Sequence, residues 1–116
     1  MRSILIISLM LFSFVASAQS SIQGLWATGD NNTVIEITQV QSHCEGKIKS
    51  TDNEDVQKGT LILKDLEKSG DTWEGKIYAP KRESWYDVEI TPEANQLIVE
   101  VSVGFLSRTL EWSRSK

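Results

Sequence analysis

Reactive side chains are scarce in this sequence. The chain has one cysteine, Cys44, and one histidine, His43. A single cysteine excludes an internal disulfide. We expect Cys44 to be a small buried side chain, with a mixed disulfide or a covalent dimer as the alternative. No Gly-x-Ser-x-Gly motif, phosphate-binding glycine-rich loop or Ser-His-Asp arrangement is evident. These absences predict a protein that is not an enzyme, with no catalytic residue and no cofactor.

Three side chains that can bind metal are consecutive, at His43, Cys44 and Glu45. Successive residues of a strand point to opposite faces of the sheet, so at most His43 and Glu45 converge. Two ligands are too few for a structural zinc site. Carboxylates elsewhere fall mostly at positions that we expect to face solvent, which does not indicate a glycosidase-type pair. The sequence therefore predicts no metal site.

An excess of positive charge is also missing. The whole chain has a formal net charge of −4. If the first 18 residues are removed, loss of Arg2 lowers the count of Lys and Arg from 12 to 11 against 16 Asp and Glu, for a net charge of −5. This balance argues against nucleic acid as a partner, because general nucleic-acid binding needs a basic face. It also argues against adhesion to anionic lipid.

Long apolar runs are absent except at the N-terminus. Arg2 supplies positive charge, residues 4–15 are almost all apolar, and Ala16-Ser17-Ala18 has the small residues of a cleavage site. These features predict a signal peptide over residues 1–18 and export to the periplasm or the outside of the cell. The apolar run is shorter than the ~20 residues of a membrane span. We expect no integral membrane segment after cleavage, and a retained anchor is the alternative.

Helical periodicity is absent from the rest of the chain, which is predicted to be one all-β domain over residues 19–116. Short β-rich runs are separated by turn signals. The predicted strands are 24–28, 33–40, 44–50, 60–64, 72–79, 84–91, 96–102 and 106–113. Alternation such as Leu97, Val99 and Val101 on one side of a strand is typical of antiparallel sheet with one solvated face. We predict an eight-stranded antiparallel up-and-down barrel, because closure removes exposed edges, with a sandwich as the alternative.

The fifth and sixth predicted strands can be assigned a register. The proposed core-facing pairs are Ile77 with Tyr86, Gly75 with Val88, and Trp73 with Ile90, and the outer pairs are Tyr78 with Trp85, Lys76 with Asp87, and Glu74 with Glu89. Residues 80–83 are then a four-residue hairpin loop. Lys81 and Arg82 at its tip are either part of an ordinary solvated turn or a contact for an anionic ligand. The turn alone is sufficient to explain them.

Several short motifs, in order, together resemble a known family. The motifs are Gly24-Leu25-Trp26, Val34-Ile35-Glu36-Ile37, Gly46-Lys47-Ile48, Gly59 with Leu61-Ile62-Leu63, Trp73-Glu74-Gly75-Lys76-Ile77-Tyr78, Pro80, Tyr86, and the ending Arg108 to Arg114. The first resembles the Gly-x-Trp signature of lipocalins and other calycins. The full set is similar to domain-of-unknown-function family 2147, small exported bacterial proteins with a calycin-like barrel. The resemblance covers nearly all of the chain after residue 18.

Two positions depart from the pattern of that family. Its members usually carry Asp-Pro after the Ile-Tyr pair, where this chain has Ala79-Pro80. They usually carry Gly-Lys before the Tyr of the next strand, where this chain has Glu83-Ser84. The hairpin between the fifth and sixth strands is therefore where this protein differs most from the family it resembles.

The resemblance to calycins implies which end of the barrel is closed. Calycins stack the early Trp against a basic residue of the last strand. Because the first and last strands of a meander are antiparallel neighbours, Trp26 is expected to meet Arg114, close to Gly24. Arg114 is then either a cation–π closure of the barrel base or a ligand contact. Calycins take ligands at the opposite end, where the meander also places residues 80–83.

Arg108 has the parity of Leu110 and Trp112 in the last strand, which predicts an inward side chain near the open end. An inward guanidinium must be paired or solvated. Its partner is a protein carboxylate, water in the interior, or the carboxylate of a bound acid, which arginine can bind with two hydrogen bonds.

Two functions follow from these features. The first is a non-catalytic binding module for a small apolar or amphipathic ligand, with acids among the candidates. The candidate ligand-binding residues are Arg108, Tyr86, Val88, Ile77, Lys81 and Arg82. The second is an interaction or structural protein of the cell envelope with a filled barrel, which uses the outer aromatics Tyr78 and Trp85. In both cases we expect a monomer or a weak oligomer.

Overall fold

A computed structural model describes residues 21–115, which form a closed barrel of eight antiparallel strands. The strands are β1 (Gly24–Ala27), β2 (Val34–Val40), β3 (His43–Ser50), β4 (Leu61–Ser69), β5 (Thr72–Ala79), β6 (Ser84–Glu93), β7 (Gln96–Val103) and β8 (Leu106–Arg114). Each strand pairs with the next, and β8 returns to β1. The predicted up-and-down barrel is confirmed. The predicted signal peptide, residues 1–18, lies outside the described residues.

The described residues include no helix with the length and hydropathy needed to cross a membrane. Their strands are joined largely by tight turns. Two-residue turns connect β2 to β3, β4 to β5, β6 to β7 and β7 to β8. Each turn has a residue with positive φ: Gln41 (59°), Gly70 (66°), Ala94 (43°) and Gly104 (64°). Positive φ is typical of the turns whose twist matches that of the flanking strands. The predicted fourth and sixth strands, 60–64 and 84–91, are therefore too short at their C-terminal ends.

Strand β4 is the largest departure from the predicted elements, because it continues to Ser69 rather than ending at residue 64. A bulge at Asp65, with φ of 54°, shifts the register with β5 between Lys64 and Glu67. One extra residue reverses the face of every side chain that follows it. The bulge therefore buries Leu66 completely. The sequence Lys-Asp-Leu-Glu lacks strand alternation, so it gives no indication that the strand continues beyond residue 64.

The predicted register between β5 and β6 is confirmed at every pair. Ile77 lies opposite Tyr86, Gly75 opposite Val88, and Trp73 opposite Ile90. The outer pairs also match, and Lys76 Nζ lies 2.5 Å from Asp87 Oδ1. This agreement shows that alternation and cross-strand chemistry are sufficient to align a regular hairpin.

The barrel interior is filled with apolar side chains. The buried core consists of Ile22, Trp26, Ile35, Ile37, Cys44, Ile48, Ile62, Leu63, Leu66, Ile77, Val88, Ile90, Leu97, Val99 and Trp112. Among the described residues no polar or charged residue is buried. Ile22 precedes the first strand, where no alternation marks it as a core residue. Its complete burial closes the barrel at the end that contains the start of β1.

Candidate functional site

The closed end is organised around Trp26, which is 1% exposed. Its indole Nε1 donates a hydrogen bond of 2.9 Å to the carbonyl oxygen of Ile22. The guanidinium carbon of Arg114 lies 4.1 Å from the centre of the Trp26 ring, and the two residues are paired across β1 and β8. Arg114 Nη1 also donates to the carbonyl oxygen of Gln23 at 3.1 Å. The predicted contact between Trp26 and Arg114 is confirmed, and it is a cation–π closure of the barrel base.

Gly24 is required at this end for two physical reasons. Its φ of 132° is a conformation that residues with a Cβ rarely adopt. A Cβ at this position would also clash with Arg114 Nη1. The Gly-x-Trp motif therefore clears space for the arginine that covers the tryptophan, and these three residues form a structural unit.

The opposite end, which we call the mouth, contains the three longer loops and the β7–β8 turn. The backbone N–H of Asp52 donates to the carbonyl oxygen of Asn31 at 2.9 Å, and Asn32 Nδ2 donates to Asp52 Oδ2 at 2.6 Å. These bonds join the β1–β2 loop to the β3–β4 loop. The rim of the mouth on this side is thus held together by polar contacts between loops.

Four of the candidate ligand residues lie on the inner face of β5, β6 and β8. Ile77 and Val88 are buried, at 8% and 4% exposure, and Tyr86 is half-buried. Val88 pairs with Val101 of β7, and Val101 pairs with Arg108 of β8. The structure therefore places Val88, Val101 and Arg108 in one lateral row across three strands. Because Ile77 and Val88 are packed in the core, they do not line a deep cavity, and a ligand at the mouth would lie above them.

Arg108 is exposed although it has inward parity. Among residues 21–115 no carboxylate lies within ion-pair distance of it. The cause is the short first strand, since β1 pairs with β8 only at Trp26 to Arg114 and Ala27 to Ser113. The barrel wall beside Arg108 thus has no neighbouring strand, and the guanidinium is solvated. Of the three alternatives for this arginine, the internal ion pair is excluded for the described residues.

Lys81 and Arg82 are exposed at the tip of the β5–β6 hairpin. The N–H of Arg82 donates to the carbonyl oxygen of Ala79 at 3.0 Å, and the N–H of Glu83 donates to that of Pro80 at 3.2 Å. The segment is therefore an ordered turn. The turn lies at the mouth end of the barrel. In the strand order, β6 and β7 lie between β5 and β8, the strand that carries Arg108. The two basic side chains are not brought into the row that contains Arg108.

An open cleft of about 330 Å³ at the mouth was missed from the sequence. It lies between the β3–β4 loop and the β5–β6 turn, and its lining comprises Asp55, Val56, Gln57, Thr60, Tyr78, Pro80 and Glu83. The lining thus combines the apolar or aromatic side chains of Val56, Tyr78 and Pro80 with the carboxylates of Asp55 and Glu83. Val56 packs against the core although its loop is polar. A single valine within a polar loop was the only available signal, and alternation cannot interpret it.

The outer aromatics Tyr78 and Trp85 are already partnered within the barrel. Their ring centres are 5.2 Å apart with the planes tilted by 52°, and Lys64 Nζ lies 4.2 Å from the Trp85 ring centre. Tyr78 is partly buried against the core. These contacts explain both rings without a protein partner. The interaction hypothesis that relied on them therefore gains no support from this surface.

The candidate metal ligands converge only as a pair. His43 Nε2 lies 3.8 Å from Glu45 Oε2 on β3. Within residues 21–115 no group of three or more His, Cys, Asp or Glu side chains is placed to hold a metal ion. Cys44 points to the other face and is 1% exposed, as a free thiol. The prediction of a small buried Cys44 side chain is confirmed.

Burial raises the pKa of the Cys44 thiol, since the charged thiolate loses its solvation. We expect iodoacetamide to alkylate Cys44 much more slowly at pH 8 in the native protein than in denaturant, because the thiolate is the nucleophile. The raised pKa contributes stability below the pKa of the unfolded thiol, and this contribution is lost as the pH rises through the folded value. Mass spectrometry of the alkylated fraction over time measures the effect. Equal rates in the two states would contradict it.

Comparisons with known proteins identify one family for this chain. The family described as an uncharacterized protein conserved in bacteria (DUF2147) matches residues 24–114. No curated protein and no solved structure matches the chain significantly. The match begins at the glycine of the closed end and finishes at the arginine that stacks on Trp26, so it spans the whole barrel. The chain therefore belongs to the bacterial family DUF2147, whose function is uncharacterized.

Proposed function

We propose that this protein is an exported, non-catalytic binding module for a small amphipathic ligand that carries an acidic group. The observation that supports this most directly is the exposed Arg108, which has no ion-pair partner among the described residues and ends an apolar row on the inner face. Fold alone is a weak basis for function, so the proposal depends on this local geometry.

The acidic group of the ligand binds Arg108. A guanidinium binds a carboxylate through two parallel hydrogen bonds, and such charge-assisted bonds are stronger than neutral ones. The apolar part of the ligand lies against Tyr86, Val101 and Leu110, which are partly buried and pack on the core. The ligand stays near the mouth, because the interior below is filled by buried side chains such as Ile77 and Val88.

Charge at the mouth favours this orientation. Lys81 and Arg82 add positive charge at the same end of the barrel and increase the rate at which an anion arrives, without contacting it when bound. The carboxylates of Asp55 and Glu83 line the separate cleft at the outer side of the mouth. They disfavour an anion there, so the two regions of the mouth differ in the ligands that they accept.

The experiment compares decanoate with decanol, which share an apolar chain and differ in charge. We expect the protein to bind decanoate more tightly, and Arg108→Gln to weaken decanoate binding by about tenfold or more while leaving decanol unchanged. Isothermal titration calorimetry or native mass spectrometry measures the affinities.

The matched control is Arg82→Gln, which removes the same charge from the exposed hairpin tip. It should lower the association rate at low salt and leave the dissociation rate unchanged. Equal affinity of the wild-type protein for decanoate and decanol, or an Arg108→Gln protein that binds decanoate as the wild type does, would refute the proposal.

A further inference from the structure

The barrel has an unpaired strand edge where β8 passes the short β1. From residue 106 to residue 112, β8 pairs with β7 on one side and has no strand partner among residues 21–115 on the other. The β1–β2 loop makes no backbone hydrogen bond with residues 106–112, and the N–H of its Thr28 donates instead to the carbonyl of Thr33. This open segment, residues 107–111, is called the β8 edge below.

Hydrogen bonds at the end of β8 identify which groups the β8 edge presents. The N–H of Arg114 donates to Asn95 on the β7 side, whereas the N–H of Ser115 donates to Leu25 on the β1 side. In an antiparallel strand, the N–H and C=O of one residue both point to one neighbouring strand, and those of the next residue point to the opposite side. The ladder with β7 continues without a register shift. The backbone N–H and C=O groups of Ser107, Thr109 and Glu111 therefore point out of the β8 edge.

The β8 edge carries two charged residues, Arg108 and Glu111, but lacks several other features that prevent edge pairing. Such features include a lysine, a proline or a bulge on the edge itself. None of these occurs between residues 107 and 111. The adjoining turn instead carries Phe105, which is fully exposed, and Leu106, which is 73% exposed. The described residues have no other large exposed hydrophobic side chains. Apolar surface beside an unpaired edge indicates a protein contact.

We propose that the β8 edge is the contact between two copies of this chain, which pair antiparallel about a two-fold axis at Thr109. A two-fold contact uses the same surface on both copies. In this register Thr109 faces Thr109 of the second copy, and Ser107 faces Glu111 of the second copy. Every outward N–H and C=O of the three residues on each copy then has a partner. A shift of the register by two residues keeps the side chains on the same faces but leaves backbone groups of the β8 edge unpaired. A shift in the other direction places a residue of the β8 edge opposite Ser113, which is already paired with Ala27 of β1.

In this register Arg108 of each copy lies opposite Leu110 of the other, so the second copy borders the proposed ligand site at the mouth. No like charges face each other directly, and threonine pairs with threonine at the centre, which is a favourable cross-strand pair. Leu106 of each copy is placed opposite Trp112 of the other, with the Phe105 turn beside the end of β1. The two exposed apolar side chains are thereby covered.

The first test is the oligomeric state of the purified protein, measured by sedimentation equilibrium across the micromolar range. We expect the wild type to form a dimer and Thr109→Pro to be a monomer. Proline is tolerated where an N–H faces away from the ladder, so the barrel should remain folded. Thr109→Val keeps the backbone donor and should remain dimeric. A monomeric wild type would overturn the proposal, even if the β8 edge bound an unrelated extended peptide.

The second test reports the register and does not depend on proline. Ser107→Lys should tighten the dimer by about twofold or more and Ser107→Glu should weaken it similarly, since each faces Glu111 twice in the symmetric pair. The control is Ser102, which is exposed and lies opposite Ser107 on β7, one strand away from the edge. Ser102→Lys and Ser102→Glu change the net charge equally. Equal effects at the two positions would overturn the register.

Discussion

Replacement of Trp26 with alanine is expected to lower the free energy of unfolding by ~3–5 kcal/mol. The indole is 1% exposed and lies between Ile22, whose carbonyl it binds, and the guanidinium of Arg114. Its removal leaves a cavity at the barrel base and exposes the end of the core. Urea denaturation followed by circular dichroism measures the loss.

Trp85→Ala is the matched control for this change. Trp85 is half-buried on the outer face, where it contacts Tyr78 and Lys64. Aromatic pairs contribute ~0.5–1.5 kcal/mol beyond the area that they bury, so a smaller loss of stability is expected. If Trp26→Ala cost less than ~1 kcal/mol, Trp26 would not support the closed end.

Gly75→Ala is expected to destabilise the protein by about 2–3 kcal/mol, because the added methyl group meets backbone rather than a movable side chain. Gly75 lies on β5 opposite the β4 bulge. A Cβ there would lie 2.6 Å from the carbonyl oxygen of Lys64 and 2.8 Å from that of Asp65. Relief of this overlap requires the bulge itself to shift, which would disturb Leu66 in the core.

Gly46→Ala provides the comparison within another strand. Its added Cβ would lie 2.8 Å from Leu63 Cδ1, the end of a flexible side chain, so part of the overlap can be relieved by a rotamer change. We expect a smaller loss than for Gly75→Ala in the same urea titration. A smaller loss for Gly75→Ala than for Gly46→Ala would show that the bulge is readily displaced.

Regular pairing could be predicted from the sequence, and irregular pairing could not. Alternation of apolar and polar residues predicted the register of β5 with β6 correctly, from the pair Trp73 and Ile90 to the pair Tyr78 and Trp85. The same rule failed in β4, because the bulge at Asp65 changes the phase of the side chains. The position of a bulge is not visible in local alternation. Here the bulge places Leu66 in a core whose other side chains come from neighbouring strands.

The candidate site divides in the same way. Strand parity correctly placed Arg108 on the inner side of β8, but whether this side chain is buried or solvated depends on the neighbouring strand. That neighbour, β1, ends at Ala27, so the arginine is exposed. The cleft at Val56 and Tyr78 also depends on how a long loop folds back, for which no periodic signal exists.

The amino-acid sequence was sufficient to predict an all-β barrel of eight strands and the register of its regular hairpin, because periodicity and the order of strands in a meander are local properties of the chain. The contact of Trp26 with Arg114 also required the resemblance to calycins, and strand order then selected Arg114. The tertiary structure was needed to establish the bulge of β4, the burial of Ile22, the solvation of Arg108 and the open β8 edge. Each of these features depends on how the strands are positioned relative to one another, and those relative positions are set only when the barrel closes.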